Sequence, residues 1–351
     1  TTSVAYGSGS ELKIQKEIHF PHSLGLFYSA FTTFCGFKVN SGEYKLMGLA
    51  PYGEPCYVEP ILEHILLIQD DGSFSLNLEY FDFLKGERMF SDKFSELFGL
   101  PPRSAESELE QIHMNLAASV QMALEKCLLH MITQLKKETT VDSLCLAGGV
   151  ALNCVANSKL LKQGPFKNIW VQPAAGDAGG ALGAALAYYY IERDGVRSSV
   201  TEDPMRGAYL GPSYKDQDIE QALKEAGVEF TKMADDQLTV KAAEYLASGK
   251  SLGWFQGAME FGPRALGARS ILADPRNKDM QSRLNLQIKF RESFRPFAPL
   301  VLEEDMSNWF DWETPSPYML FVADIVKDKR LVDSEGEQLF GIERLNRPRS
   351  S

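Results

Sequence analysis

A mixed α/β fold is predicted for this chain of 351 residues, and three stretches predict it. Val141 to Leu146 (VDSLCL) reads as a short buried strand that runs through Ala147-Gly148-Gly149 into the helical pattern CVANSKLLKQ. Asn168 to Gln172 (NIWVQ) reads as a second strand, running through PAAG into a segment made almost wholly of Gly and Ala, with Asp177 at its start. Past a polar segment, Asp194 to Arg206, strand and helix signals resume, and the length suffices for two domains.

Composition bounds the function. The chain is 44% hydrophobic and 24% charged, as a globular protein is. A net charge of −11 and a pI of about 5.1 repel phosphate overall, which argues against nucleic acid or an anionic membrane as partner. No apolar run approaches 18 residues, and no signal peptide opens the chain. The five cysteines (Cys35, Cys56, Cys127, Cys145, Cys154) are odd in number and form no CxxC pair. That argues against a disulfide framework or a cysteine zinc site and suits a reducing cytoplasm.

Taken in order, residues from Ser3 alternate like a strand, with a Gly-Ser turn at Gly7 to Ser10. Opening directly in a strand suggests that earlier partner strands are missing. Ser23 to Cys35 has apolar residues at helical spacing after Pro21. Ser41 to Pro55 is punctuated by Gly42, Gly48 and Gly53; Glu43 and Lys45 within it suit either a ligand such as a ribose or a helix cap with an ion pair. Asp70-Asp71-Gly72-Ser73 between ILLIQ and FSLNL marks a hairpin. Glu106 to Lys137 is expected to be one long amphipathic helix, since Ile112, Leu116, Val120, Leu124, Cys127 and Met131 follow one stripe. His113 and His130 lie on it without a partner at i+3 or i+4, so they read as satisfied or exposed histidines rather than metal ligands.

The strand–Gly-Gly–helix pattern is how a backbone approaches phosphate: glycine removes the Cβ, and the helix start offers free N–H groups. Asp177 either stabilises the positive end of its helix or binds a cation beside a nucleotide. Beyond the linker, YLGPSYKDQDIEQALKEAG reads strand, turn, helix, with Asp216 or Asp218 capping. Leu238 to Ser248 is a further helix, Ser251 to Phe255 a strand, and PYMLFVADI a strong strand candidate. The charged tail from Lys327 ends with no closing element.

The most unusual stretch is Gly257 to Pro299, with eight basic residues against four acidic ones in an otherwise acidic chain. Arg264 follows Gly-Pro, Arg269 follows Gly-Ala, and Arg295 sits between Phe294 and Pro296. Guanidinium groups held by turns and flanked by aromatics suit bidentate capture of phosphate or carboxylate. A structural cluster paired with carboxylates elsewhere is the competing reading.

Six motifs, SLGLFYSAFT, SGEYKLMGLAPYG, LAGGVALN, QPAAGDAGGALGAAL, FGPRALGARSILADPR and FRPFAP, together resemble the O-carbamoyltransferases of the NodU/CmcH type, which include nodulation-factor and antibiotic carbamoyltransferases. They occur in the family's order from residue 23 to about 325. The resemblance implies an actin/hexokinase-like transferase domain over 1–200 and part of a YrdC-like domain over 207–351. It implies that carbamoyl phosphate and ATP form carbamoyl adenylate, and that the carbamoyl group passes to a hydroxyl of a sugar-like or natural-product acceptor, beside a bound divalent metal, iron (Fe2+) in the family. Arg264, Lys289 and Arg295 match the carbamoyl-phosphate positions and so carry the expected catalysis, with Arg269 adjacent. Gly148, Gly149 and Asn153 match the nucleotide loop, Glu43 is the ribose candidate, and Asp177 matches a metal ligand.

Two departures accompany the match. The family's HxxxH pair, which supplies two histidine metal ligands, has no counterpart here, His19 and His22 included. The family also continues into a segment resembling HVDGxARxQTV, whose arginine helps hold carbamoyl phosphate. The chain is therefore expected to be an internal fragment, inactive alone, with a homodimer compatible with this reading. Two alternatives stand beside it: an actin/hexokinase-like sugar kinase or ATPase, which leaves the clustered arginines unexplained, and a nucleotide-binding fragment without turnover.

Overall fold

The computed structural model describes residues 1–105, 107–197, 203–330 and 341. The chain opens in an antiparallel hairpin of β1 (Thr2–Ser8) and β2 (Glu11–Ile18), turning at Gly9 and bulged between Val4 and Ala5. Ser23 then caps α1 (Leu24–Phe34) by accepting from the Leu26 N–H at 3.3 Å. Spacings of three and four put Phe27, Phe31 and Phe34 on one face, all fully buried. Next come α2 (Glu43–Leu49), α3 (Val58–His64), and the short antiparallel pair β3 (Leu66–Ile68) and β4 (Phe74–Leu76). The hairpin at Asp70-Asp71-Gly72-Ser73 is as expected, with Gly72 at φ +86°.

Helix α4 (Asp92–Phe98) completes an aromatic cluster: Phe31 and Phe94 lie 5.0 Å apart, Phe34 and Phe90 5.1 Å. Each buried phenylalanine contributes roughly 1.5–3 kcal/mol by burial, and edge-to-face pairing adds about 0.5–1.5 kcal/mol. The long helix α5 (Gln111–Lys137) runs beneath this cluster and packs on α1, α2 and α3. It starts at Gln111 rather than in the expected 106 region, because residues 107–110 are non-helical and Glu110 serves as the N-cap, its N–H bonded to His113 Nδ1 at 3.0 Å. The expectation at Glu106 itself lies outside the described residues. His130 Nε2 lies 3.0 Å from the Gln69 carbonyl, so both histidines are satisfied.

The predicted strand–helix–strand unit is present: β5 (Ser143–Leu146), α6 (Cys154–Gln163) and β6 (Asn168–Val171). The two strands are parallel, with Ser143 opposite Asn168 and Leu146 opposite Val171. Parallel pairing puts the loops that follow β5 and β6 at the same end, where α/β proteins build their ligand sites. The glycine-rich α7 (Gly179–Ala187) begins two residues after Asp177.

Beyond residue 203 the chain carries α8 (Asp216–Glu225), α9 (Asp235–Ala247), the antiparallel pair β7 (Leu252–Phe255) and β8 (Arg269–Leu272), and the short helices α10 (Met280–Arg283) and α11 (Met306–Trp309). Asp218 accepts from the Lys215 N–H at 3.3 Å at the start of α8. Two strand expectations here are corrected. Residues 209–214 form no strand, since the Leu210 N–H bonds back to Ala208 and Gly211 to Met259. PYMLFVADI is not a strand either; only Ile325 makes a bridge, to Phe310. Met319 at φ +52° interrupts the extended backbone, and α6 takes up its polar groups instead. Asn157 Nδ2 donates to the Leu320 carbonyl at 3.1 Å, and Ser158 Oγ accepts from the Val322 N–H at 2.6 Å.

Of the expected linker, Met205 and the following Ala208 are buried with Tyr318, Leu320 and Val171 in a small second core. Phe294, from the basic stretch, is buried in the main core, where the Tyr52 hydroxyl donates to its carbonyl at 3.3 Å.

Candidate functional site

Three loops converge at the ends of β5 and β6. The first, residues 147–153, begins with Gly148 at φ +96°, a conformation that only glycine adopts easily, and its N–H donates to the Ala175 carbonyl of the second loop at 2.8 Å. A Cβ at Gly148 or Gly149 would meet nothing within 4 Å, so the loop presents bare backbone to open space. The second loop, residues 173–178, abuts Gly262 of the third: a Cβ there would lie 3.3 Å from the Pro173 carbonyl oxygen. The third loop, residues 260–268, brings Arg264, whose Nη2 donates to the Leu152 carbonyl at 3.4 Å. Arg264 Nε is buried without an acceptor among the described residues. Leu266 packs on the second core beside Ala151 and Ala175 and anchors the loop from below.

The expected arginines divide into two kinds. Arg264 keeps most of its donors unspent. Arg269 turns into the loop: Nη2 donates to the carbonyls of Gly262 (2.7 Å) and Arg264 (3.3 Å), and Nε faces Glu260 Oε2 at 3.3 Å without a hydrogen bond. Glu260 is the residue that sequence reasoning passed over. It is buried, and Oε1 accepts from the N–H groups of Leu266 (2.6 Å) and Ala268 (2.8 Å). Burial pushes its carboxyl up, but those amides and Arg269 outweigh that and hold it below the usual carboxylate range. The signal was its place as the one carboxylate immediately ahead of FGPRALGAR.

A second basic group lies on α2. The Arg295 guanidinium stacks over the Tyr44 ring at 4.3 Å, and Arg291 over Phe297 at 4.8 Å. Burial, and then the neighbouring Arg295 charge, pull the Arg291 guanidinium below its usual range. Lys45 pairs with Glu292 at 2.5 Å, and Lys289 is exposed. Tyr44, Met47 and Gly48 share one face of α2 by their spacing of three and four. Met47 Sδ lies 3.9 Å from Cys154 Sγ, and Gly48 faces Phe294 and Pro296. One helix face thus joins the arginine pair to the start of α6. Burial pushes the Cys154 thiol up, against the opposing charge of Arg264.

The other expected residues have structural engagements. Asn153 caps α6 by accepting from the Ala156 N–H at 2.9 Å, and its amide pairs with that of Gln121. Glu43 accepts from Ser29 Oγ (2.7 Å), the Asn40 N–H (3.0 Å) and the Gly42 N–H (3.2 Å) at the start of α2. Asp177 is exposed. No group of three His, Cys, Asp or Glu residues among the described residues could hold a metal ion, so the donors present do not fit the iron that the resemblance implied. All five cysteines are free, and no described helix is long and apolar enough to cross a membrane.

Comparison with known proteins finds family matches in both halves of the chain. Residues 1–186 match the family model for the carbamoyltransferase N-terminus, and residues 243–336 that for the carbamoyltransferase C-terminus. An uncharacterized protein of Synechocystis is 56% identical over 353 residues, covering 100% of this chain and 57% of that protein. The nodulation protein NolNO of Sinorhizobium fredii is 39% identical over 331 residues, covering 93% of this chain and 46% of that protein. The nodulation protein NolO of Bradyrhizobium diazoefficiens is 38% identical over 332 residues, covering 93% and 57%. The chain therefore spans about half the length of the relatives it matches. With an α/β fold, an arginine loop against a bare glycine loop, and family matches across both halves, the chain belongs to the carbamoyltransferase family.

Proposed function

We propose that this chain is part of an O-carbamoyltransferase that activates carbamoyl phosphate with ATP and passes the carbamoyl group to a hydroxyl on a sugar-like acceptor. The observation that carries the reading is the meeting of Arg264 with the carbonyl that ends the Gly148–Leu152 turn, while its Nε is left without an acceptor. A buried guanidinium donor without a partner, beside open glycine backbone, suits an incoming phosphate oxygen.

In this reading, Gly148 and Gly149 let a nucleotide phosphate approach the backbone, and Arg264 neutralises the anion at their edge. Arg295, held flat by Tyr44, and Arg291 beside it supply a second concentration of positive charge for the dianionic carbamoyl phosphate, with Lys289 at the exposed rim. The balance of the reaction is simple. Carbamoyl phosphate and one water yield carbamate and phosphate. Carbamate oxygen attacks the α-phosphorus of ATP, releasing pyrophosphate and leaving carbamoyl adenylate. The acceptor hydroxyl then attacks the carbamoyl carbon, the bond to AMP breaks, and the hydroxyl proton leaves with the departing AMP or a base. Fixed cations lower the barrier because negative charge builds on phosphate oxygens in each step.

Differential thermal unfolding with carbamoyl phosphate, inorganic phosphate and ATP in separate titrations tests this reading. A ligand that binds only the native state raises the melting temperature with its concentration over Kd. The full-length protein is expected to gain more from carbamoyl phosphate than from phosphate. Equal shifts from the two, or none, would remove the carbamoyl assignment.

A further inference from the structure

The loop that carries Arg264 is held by an ion pair between the buried Glu260 and the part-exposed Arg269, whose Nε faces Glu260 Oε2 at 3.3 Å without a hydrogen bond. Glu260 Oε1 fixes the amides of Leu266 and Ala268, behind Arg264, while Oε2 faces Arg269. Arg269 in turn grips the carbonyls of Gly262 and Arg264, in front of the apex and at it. The backbone on both sides of Arg264 is therefore tied to one carboxylate–guanidinium pair. The two amide bonds alone do not require a charge, since a neutral Gln offers the same acceptor. A buried carboxylate is retained only at a desolvation cost, and here its charge has one use, which is to hold Arg269 in the loop.

We propose that Glu260 is a positioning residue that acts through Arg269 to present the Arg264 guanidinium to the bound anion. This rests on the reading of Arg264 as an anion ligand. It also changes the part played by Arg269: its Nη2 is engaged by two loop carbonyls and its Nε faces Glu260, so it sets the geometry of the site instead of touching the phosphate.

The sign of one substitution separates this from the alternatives. Removing a negative charge beside an anion site strengthens anion binding by Coulomb attraction alone. If Arg269 were itself a phosphate ligand restrained by Glu260, Glu260→Gln would free it and tighten binding further. If Glu260 positions Arg264, the same substitution weakens binding, by roughly tenfold for the loss of one charge-assisted contact's worth of order.

The experiment is calorimetric titration of the full-length protein with carbamoyl phosphate, for wild type, Glu260→Gln, Arg264→Ala and the double variant. The expected result is weaker binding by Glu260→Gln, and a double variant no weaker than Arg264→Ala, because a positioning residue has no effect once its client is gone. Unchanged or tighter binding by Glu260→Gln, or losses that multiply in the double variant, would overturn the proposal while leaving the site intact. Should Glu260→Gln not fold, Arg269→Lys keeps the charge but cannot fork to two carbonyls; it is expected to weaken binding likewise, and wild-type affinity would overturn the proposal equally. A wild-type protein that binds no carbamoyl phosphate removes the anion site itself, a different failure read from the first titration.

Discussion

The side chains of Asn153 and Gln121 meet amide to amide in the interior: Gln121 Nε2 donates to Asn153 Oδ1 at 3.1 Å, and Asn153 Nδ2 donates to Gln121 Oε1 at 2.9 Å. The Tyr28 hydroxyl donates to the same Gln121 oxygen at 3.0 Å, and Gln121 also donates to Glu125 at 2.8 Å. The residue that ends the glycine loop is thereby locked to α1 and α5 before any ligand arrives. Asn153→Ala removes the cap of α6 and both amide bonds to Gln121, whose Oε1 and Nε2 keep Tyr28 and Glu125 as partners. The cap is worth about 1 kcal/mol, and each of the two lost hydrogen bonds about 0.5–1.5 kcal/mol, so a loss of about 2–4 kcal/mol is expected from urea denaturation. A loss within 0.5 kcal/mol would show that the pair does not hold the loop.

Arg264 and Arg295 are held by few contacts of their own, a long hydrogen bond in one case and a stacked ring in the other. Arg264→Ala and Arg295→Ala are each expected to weaken carbamoyl-phosphate binding by roughly 100-fold, still measurable in calorimetry at high ligand concentration, while the thermal transition stays cooperative. Wild-type affinity in either variant would take that residue out of the site.

The aromatic cluster dominates the first half of the chain. Phe31 is fully buried and meets Phe27, Phe94 and Phe98 at 5.0 to 5.7 Å. Phe31→Ala is expected to cost about 3–5 kcal/mol through lost burial and a cavity. Phe31→Leu, which leaves a smaller void, should lose visibly less in the same unfolding series.

Asp142 accepts from Lys136 at 2.8 Å and Lys167 at 2.5 Å at the entry to β5, and those two bonds hold its carboxyl at about 2, against an ordinary 3.8. The folded-state pKa is depressed, so the contribution is present above pH 3.8 and is lost as pH falls through about 2. The gap in denaturation midpoint between wild type and Asp142→Asn should be open at pH 7 and closed near pH 2. A gap independent of pH would assign the effect to packing instead.

Asp177 is exposed and stands outside any cluster of metal donors among the described residues. Asp177→Asn is therefore expected to leave stability within about 0.5 kcal/mol of wild type. Metal analysis of the full-length protein and this variant decides its other role: equal metal content returns Asp177 to a helix-start carboxylate.

Much of this was legible in the sequence. The strand, Gly-Gly and helix pattern at Val141 to Gln163 appears where it was expected, because a buried parallel strand and a glycine turn are local properties. Arg264 was legible for the same kind of reason, as a turn-held cation in an acidic chain. The segment at Tyr318 to Asp324 was not. Its apolar content predicted a strand, and only the side chains of Asn157 and Ser158, more than 150 residues away, replace the missing strand partner.

The amino-acid order by itself determined the α/β class, the glycine loop, the buried helix after Ser23 and the placing of the cations along the basic stretch. The tertiary structure alone decided which cations are free. Arg269 and Arg264 are five residues apart and look alike in the sequence, yet one guanidinium faces Glu260 and donates to two loop carbonyls while the other has a buried Nε without an acceptor among the described residues. That difference depends on which polar groups folding buries beside each side chain, and burial is a property of the packed loop, not of the spacing along the chain.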